Sequence, residues 1–246
     1  MVRIVIGCLV ALFALQCGNA SPPKQPDANE LLIANLTSAN WPTVEEAKET
    51  LESRQAEAIP LLMKLLDRDE KVKLENTADL IYPGAEKSSG HGMVIGYNLD
   101  WLPIRAGWAL EEITFQNFGF EGGEWEWGNP DPSKAAENQK LRAEAVARAK
   151  TWWQHAQGSW TRFDGIVEAL RSDDVHRQGW ALGYVRAGKT KCDGLTLESF
   201  EKQIKPEAQR LLHSKEEWVR QHAQYLLEDK EGRWLKYKTE AAVTTP

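Results

Sequence analysis

Arg105-Ala106-Gly107-Trp108-Ala109-Leu110 is matched 72 residues further on by Arg177-Gln178-Gly179-Trp180-Ala181-Leu182. Both copies place a base two residues before the same Gly-Trp-Ala-Leu. Glycine inside a helix costs about 0.5–1 kcal/mol relative to alanine. A repeated mid-helix glycine therefore predicts that a neighbouring helix crosses closely there, with Trp108 and Trp180 filling the next layer. Elsewhere apolar residues recur at spacings of three and four, as in Ile59, Leu62, Leu65 and Leu66, which is the period of an amphipathic helix. Alternating β-branched runs are nearly absent, so the expected fold is all-α.

Four segments around these copies share parts of one pattern. Leu65–Asp69 leads into Val72 and then Ala78–Ile81. Asp100–Pro103 leads into Ile104–Leu110. Leu170–Asp174 leads into Val175 and Gly179–Leu182. Leu211–Glu216 leads into Val219-Arg220 and Ala223–Leu227. Three of them read as a helix end, a short acidic turn, an aliphatic residue beside a base, and a helix carrying a small residue. The second keeps only the later half. This is the grammar of a helical hairpin. The turn's Asp or Ser accepts from the orphan N–H groups of the second helix, and Pro103 suits a first turn, where no donor is needed. Gly119 and Gly188 stand where those helices are expected to stop. A unit repeated in this way buries its apolar face by stacking on its neighbours.

The pattern resembles HEAT-like repeats, carried by Ile104-Arg105…Ala109-Leu110, Val175…Ala181-Leu182 and Val219-Arg220…Leu226-Leu227. More narrowly, "RAGWALEEITFQNFGF" (105–120) followed by "RAKTWW" (148–153) is similar to HEAT-repeat proteins of exported bacterial type. The resemblance covers roughly residues 43–235. It implies a short, irregular α-solenoid of antiparallel helix pairs with two loop insertions and a binding surface, but no one activity. His176-Arg177 in place of Val-Arg, and the 44 residues from Val175 to Val219, depart from a regular array.

Residues 1–20, MVRIVIGCLVALFALQCGNA, carry one Arg ahead of an apolar run and small residues at 18–20. They read as a secretory signal peptide, with Cys17 as a lipid anchor in the alternative reading. The expected location is periplasmic or secreted, and no later run is long and apolar enough to span a bilayer. Residues 21–40 read as a Pro-rich polar linker, 41–238 as the repeat domain and 239–246 as a tail. Without the signal, 29 bases face 36 acids, which leaves no broad basic face for nucleic acid. Cys192 is then a lone cysteine, so no internal disulfide forms and stability rests on packing.

Two interruptions break the helical periodicity. The first, 82–99, holds His91 between glycines beside Tyr82, with Asp79, Glu86 and Asp100 flanking it. The second, 118–139, holds Trp125 and Trp127 between acids. His91 suits an acid–base group and the indole pair suits a sugar or a cation. Equally, His91 suits a backbone hydrogen bond and the indoles a packed plug. No metal-ligand spacing, nucleophile elbow, phosphate loop or cysteine pair accompanies them, so neither cofactor nor metal is expected. A helix is expected from about Ser133 to Gln154, closed by Trp152-Trp153 and Trp160. The sequence points to an exported, non-enzymatic scaffold that binds a protein or peptide with a basic face, including a toxin-neutralising role. Tyr82, His91, Trp125 and Trp127 are the candidate contacts. The alternative is a carbohydrate-binding protein or hydrolase working at the two loops.

Overall fold

The computed structural model describes residues 27–85, 92–121, 132–187 and 192–229. Residues 1–20 with Cys17, read above as a signal, and His91, Trp125, Trp127, Gly188 and residues 239–246 lie outside the described residues. Within them the chain is mostly helical, and none of its helices is long and apolar enough to cross a membrane. The helices are α1 (Ala28–Leu36), α2 (Trp41–Arg54), α3 (Ile59–Leu65), α4 (Leu102–Thr114), α5 (Ala135–Ala156), α6 (Arg162–Arg171), α7 (Val175–Ala187), α8 (Leu197–Ser199), α9 (Lys205–Leu211) and α10 (Glu217–Glu228). A π-helical turn, Phe200–Ile204, joins α8 to α9. Strands β1 (Leu80–Ile81) and β2 (Met93–Val94) form a short parallel ladder.

Local chemistry sets the helix ends. Asp27 and Glu30 form a capping box that starts α1. Here the structure corrects the linker expected over 21–40: α1 lies inside it and buries Leu32 and Leu36 against α2. Asp174 accepts from the N–H groups of His176 and Arg177 at the start of α7, as the hairpin pattern requires. Pro103 lies in the first turn of α4. That helix stops at Phe115, which adopts the left-handed conformation with φ 56°, and not at Gly119.

The four-segment reading needs a second correction. No helix forms over 72–81. Leu74, Leu80 and Tyr82 are buried, and the backbone is irregular, with Asn76 in the left-handed region at φ 58° and a turn closed by the Leu80 N–H on the Thr77 carbonyl. It pairs through the bridges Asn40 with Glu75 and Lys71 with Trp101. The first segment supplies a first helix and the second segment supplies its partner, so α3 packs on α4 across a long insertion. That is why the second segment lacked its front half. The hairpins are thus α3 with α4, α6 with α7, and α9 with α10, and α10 also packs on α7.

Two hydrophobic clusters result. One gathers α1 to α5, and the other gathers Phe115 with α6, α7, α9 and α10. Trp180 packs against both. The close approach expected at the glycines is made at Gly107 by a ring from just beyond the same helix, and at Gly179 by the Trp218 ring of α10, the neighbouring helix packed on α7. A Cβ on Gly107 would lie 2.2 Å from the Phe120 ring, and one on Gly179 would lie 1.7 Å from the Trp218 ring. Helix α5 fits its expected span and lays Ala145 and Ala149 into the first cluster.

Candidate functional site

Where the two clusters meet, a cavity of about 310 Å³ opens between the ends of α2 and α4 and the faces of α6, α7 and α10. Its aromatic side comes from Phe115, Trp180, Tyr184 and Trp218, and its polar side from Glu52, Glu112, Arg162 and His222. Helix α7 makes room for it. Gly179 and Gly183 stand one turn apart on the face turned to the cavity, and a Cβ on Gly183 would meet nothing nearer than His222 at 3.8 Å. Trp180 and Tyr184, each next to one of those glycines, edge the space.

Arg162 opens α6 and is 1% exposed. Its Nη1 donates to the Glu52 carbonyl at 2.9 Å and its Nη2 to the Glu112 carbonyl at 3.5 Å. Both carbonyls lie in the last turns of their helices, where the regular i+4 donors run out; that of Glu52 also accepts from the Gln55 N–H. One guanidinium therefore closes two helix C-termini, the ends that favour a cation. It also lies 4.3 Å from the Tyr184 ring centre. Its positive charge also favours the ionised Glu52 carboxylate.

The carboxyls form a second cluster. Lys48 on α2 pairs with Glu52 at 2.7 Å and with Glu112, and it lies over the Trp108 ring at 4.7 Å. The Trp108 indole donates to Glu112 at 2.6 Å. Glu52 and Glu112 thus both meet the one Lys48 ammonium, which draws their carboxyls together. Burial, reinforced by Glu52 and only partly offset by Lys48, lifts the Glu112 carboxyl to about 7. Burial pushes Glu52 the same way, but Lys48 foremost, with Arg162, holds Glu52 below its usual range. Glu112 is enclosed by protein on most sides yet keeps 34% of its side-chain surface, because it borders the cavity. Glu112 thus borders the cavity with a carboxyl whose hold on a proton is raised. His222 is held below its ordinary value by burial and by Arg186.

A second, shallower groove of about 500 Å³ lies along another face of α6, lined by Trp152, His155, Trp160, Asp164 and Glu168 among others. Trp152 and Trp160 meet edge to face at 5.7 Å. The Trp160 indole N–H has no partner among the described residues.

Of the contacts expected from sequence, Tyr82 is 1% exposed, and its hydroxyl donates to Asp100 at 2.8 Å. It is a core residue and borders neither opening. Asp100, expected beside an acid–base histidine, is fully buried. It accepts from the Leu74 N–H at 2.9 Å and pairs with Lys73 at 3.3 Å. It organises the segment 72–81. His91, Trp125 and Trp127 are among the undescribed residues, so only Tyr82 of the four has a place, and it is not at the cavity. The cavity residues were missed. Their signal was the Gly-Trp…Gly-Tyr step of the second GWAL copy, where the first copy continues with Glu-Glu.

Among the described residues, no three His, Cys, Asp or Glu side chains gather as metal ligands. Compared with protein-family models, curated proteins and solved structures, the chain matches none.

Proposed function

We propose that this is an exported, HEAT-like α-solenoid of the cell envelope that binds a protein partner by its basic face and takes one basic side chain into the cavity. The observation that carries this reading is the pairing of aromatic rings with the Glu52–Glu112 carboxyls around a space of about 310 Å³. Aromatic faces attract cations, and a carboxylate within the same space gives a cation a charged partner. A partner of that kind, such as a basic toxin entering the periplasm, would associate faster and more tightly at low salt.

The same geometry argues against a hydrolase at this site. A glycosidase needs two carboxyls placed on either side of a glycosidic bond, whereas these two are drawn together on the one Lys48 ammonium. A carbohydrate-binding role is supported instead by the Trp152–Trp160 groove, whose indoles and acids resemble a sugar platform in kind.

Capture from a cell-envelope extract separates the two. A tagged chain should retain one basic protein at low salt and release it at high salt, while Trp180→Ala should not retain it. Retention by that variant, with loss on Trp152→Ala, would move the site to the groove.

A further inference from the structure

Helices α7 and α10 run side by side in the same direction, with Gly179 against Trp218, Gly183 against His222, and Arg186 over the Tyr225 ring at 5.0 Å. The first two steps of that seam line the cavity. The third, where Tyr225 is 52% exposed, leads to the end of α10 at Glu228. Residues 230–246 lie outside the described residues. Their sequence opens Lys230-Glu231-Gly232-Arg233-Trp234-Leu235-Lys236-Tyr237-Lys238, with four bases and one acid around two aromatic rings. From Trp218 to Glu228 the helix rises by about 15 Å. Trp234 comes six residues after Glu228 and reaches about 20 Å from it at full extension. The seam is therefore within reach of Trp234 along the whole way back to the cavity.

The cavity suits an indole in size and in kind. A space of about 150 Å³ holds a benzene ring, and this one is about 310 Å³. Phe115, Trp180, Tyr184 and Trp218 offer ring surface, and Gly183 leaves room on α7, since a Cβ there would meet nothing nearer than His222 at 3.8 Å. Glu52 and Glu112 already face Lys48 and Arg162, so the deeper part of the cavity is matched by a ring. At its edge Glu112 keeps 34% of its side-chain surface, where a base flanking that ring meets an acid. We propose that the chain's own Trp234 occupies the cavity, with Arg233 and Lys236 at its acidic rim, and that a partner enters by displacing it. The proposal rests on the reading above only in taking the cavity as a binding site.

The test follows the indole N–H NMR signals of the full chain. Trp234→Ala should move the Trp180 and Trp218 signals and leave those of Trp41 and Trp152, which line no part of the cavity. Gly183→Leu, which fills the cavity from α7, should move the Trp234 signal to its position in a free synthetic peptide of residues 230–240, with an unmoved Trp41 signal as the sign that the fold is kept. Added to Trp234→Ala, that peptide should recover half of the Trp180 and Trp218 shifts below about 1 mM, the order of effective concentration that a short tether gives the segment. Unmoved Trp180 and Trp218 signals in Trp234→Ala, a Trp234 signal already at the free-peptide position in the natural chain, or no recovery with the peptide at 1 mM, overturns the proposal and leaves the cavity reading to the capture experiment. Signals that change with chain concentration put a second copy's segment in the cavity and also overturn it. If the proposal holds, Trp234→Ala retains the captured basic protein to higher salt than the natural chain does. Capture unaffected by Trp180→Ala sinks the cavity as the partner's seat, while the shifts on Trp234→Ala still stand for the segment.

Discussion

The two GWAL copies are one signal in sequence and stand in different surroundings in the fold. In α4 the motif is sealed: Trp108 is 3% exposed, and Gly107 lies under Phe120, a ring from the chain just beyond the same helix. In α7 the motif borders a cavity: Trp180 is only partly buried, and Gly179 lies under Trp218, a ring from the next hairpin. The residues after each copy account for the difference. Leu110 is succeeded by Glu111 and Glu112, which bind back into the protein, whereas Leu182 is succeeded by Gly183 and Tyr184, which leave space. A repeated helix signature thus fixes how a helix is seated, and the next two residues decide whether its surroundings close or open.

The arginines ahead of the two copies give the strongest contrast. Arg105 is 1% exposed and donates to four carbonyls, those of Leu36, Ser38, Val72 and Leu99. Burial pulls it down to about 10, yet it remains charged at neutral pH. Arg177 reaches a single carbonyl, that of Phe115, at 2.7 Å. Removing Arg105 strands several acceptors at the junction of α1, the segment 72–81 and α4. We expect Arg105→Met to cost about 3–5 kcal/mol and Arg177→Met about 1–2 kcal/mol, measured by urea unfolding. Equal costs would show that the number of carbonyls met does not set what each arginine contributes.

Glu111 carries the contrast further, since α7 has a glycine in the matching place. Its carboxylate is fully buried and accepts from the N–H groups of Phe118, Gly119 and Phe120 and from the Tyr97 hydroxyl. Burial nevertheless outweighs those bonds and lifts it to about 7, from 4.5 as an ordinary glutamate. The folded state therefore holds this proton more tightly than the unfolded state does. The associated stability is fully present below pH 4.5 and is lost as pH rises to 7, by about 3 kcal/mol in total. Asp174 runs the other way: burial pushes it up, but hydrogen bonds from Asn117 and from the Arg177 and His176 N–H groups hold it down. The sum over all groups thus hides the effect. The difference between the natural chain and Glu111→Gln isolates it. That variant should gain stability relative to the natural chain as pH is raised from 4.5 to 7.5, in melting experiments across the range. A constant difference would mean that Glu111 stays ionised throughout.

Much of this was legible in the sequence, and the failures have physical reasons. Helical content, the acidic turn at Asp174, the first-turn Pro103 and the span of α5 all obey local rules, and local rules are what a sequence displays. The segment 72–81 misled because its bases and leucines resemble a helix start. Its backbone partners, Ala39 and Asp100, come from outside the segment. The cavity was hidden for a similar reason. Glu52, Glu112, Arg162 and Trp218 are scattered over four helices, and a carboxyl that borders a cavity looks in sequence like any surface glutamate on α2 or α4. Only the Gly-Trp…Gly-Tyr step was local enough to be seen. Tyr82 was chosen for lying in a loop, but a loop residue that donates to a buried aspartate belongs to the core.

The finest difference lies between the two glycines themselves. By distance alone, Gly179 is the tighter of the pair, since its added Cβ would lie 1.7 Å from Trp218 against 2.2 Å from Phe120 at Gly107. The cost should nevertheless run the other way, because it depends on where the ring can go. Phe120 is 2% exposed and closed in by Phe118. Gly107→Ala should therefore cost about 2 kcal/mol or more after the helix-propensity gain is counted. Trp218 stands at the rim of an open cavity, so it has room to turn. Gly179→Ala should fall within about 1 kcal/mol of the natural chain while changing tryptophan fluorescence and reducing the volume left for a ligand. If Gly179→Ala proves the more damaging of the two, Trp218 is held as firmly as Phe120, and the cavity is a rigid feature of the second cluster.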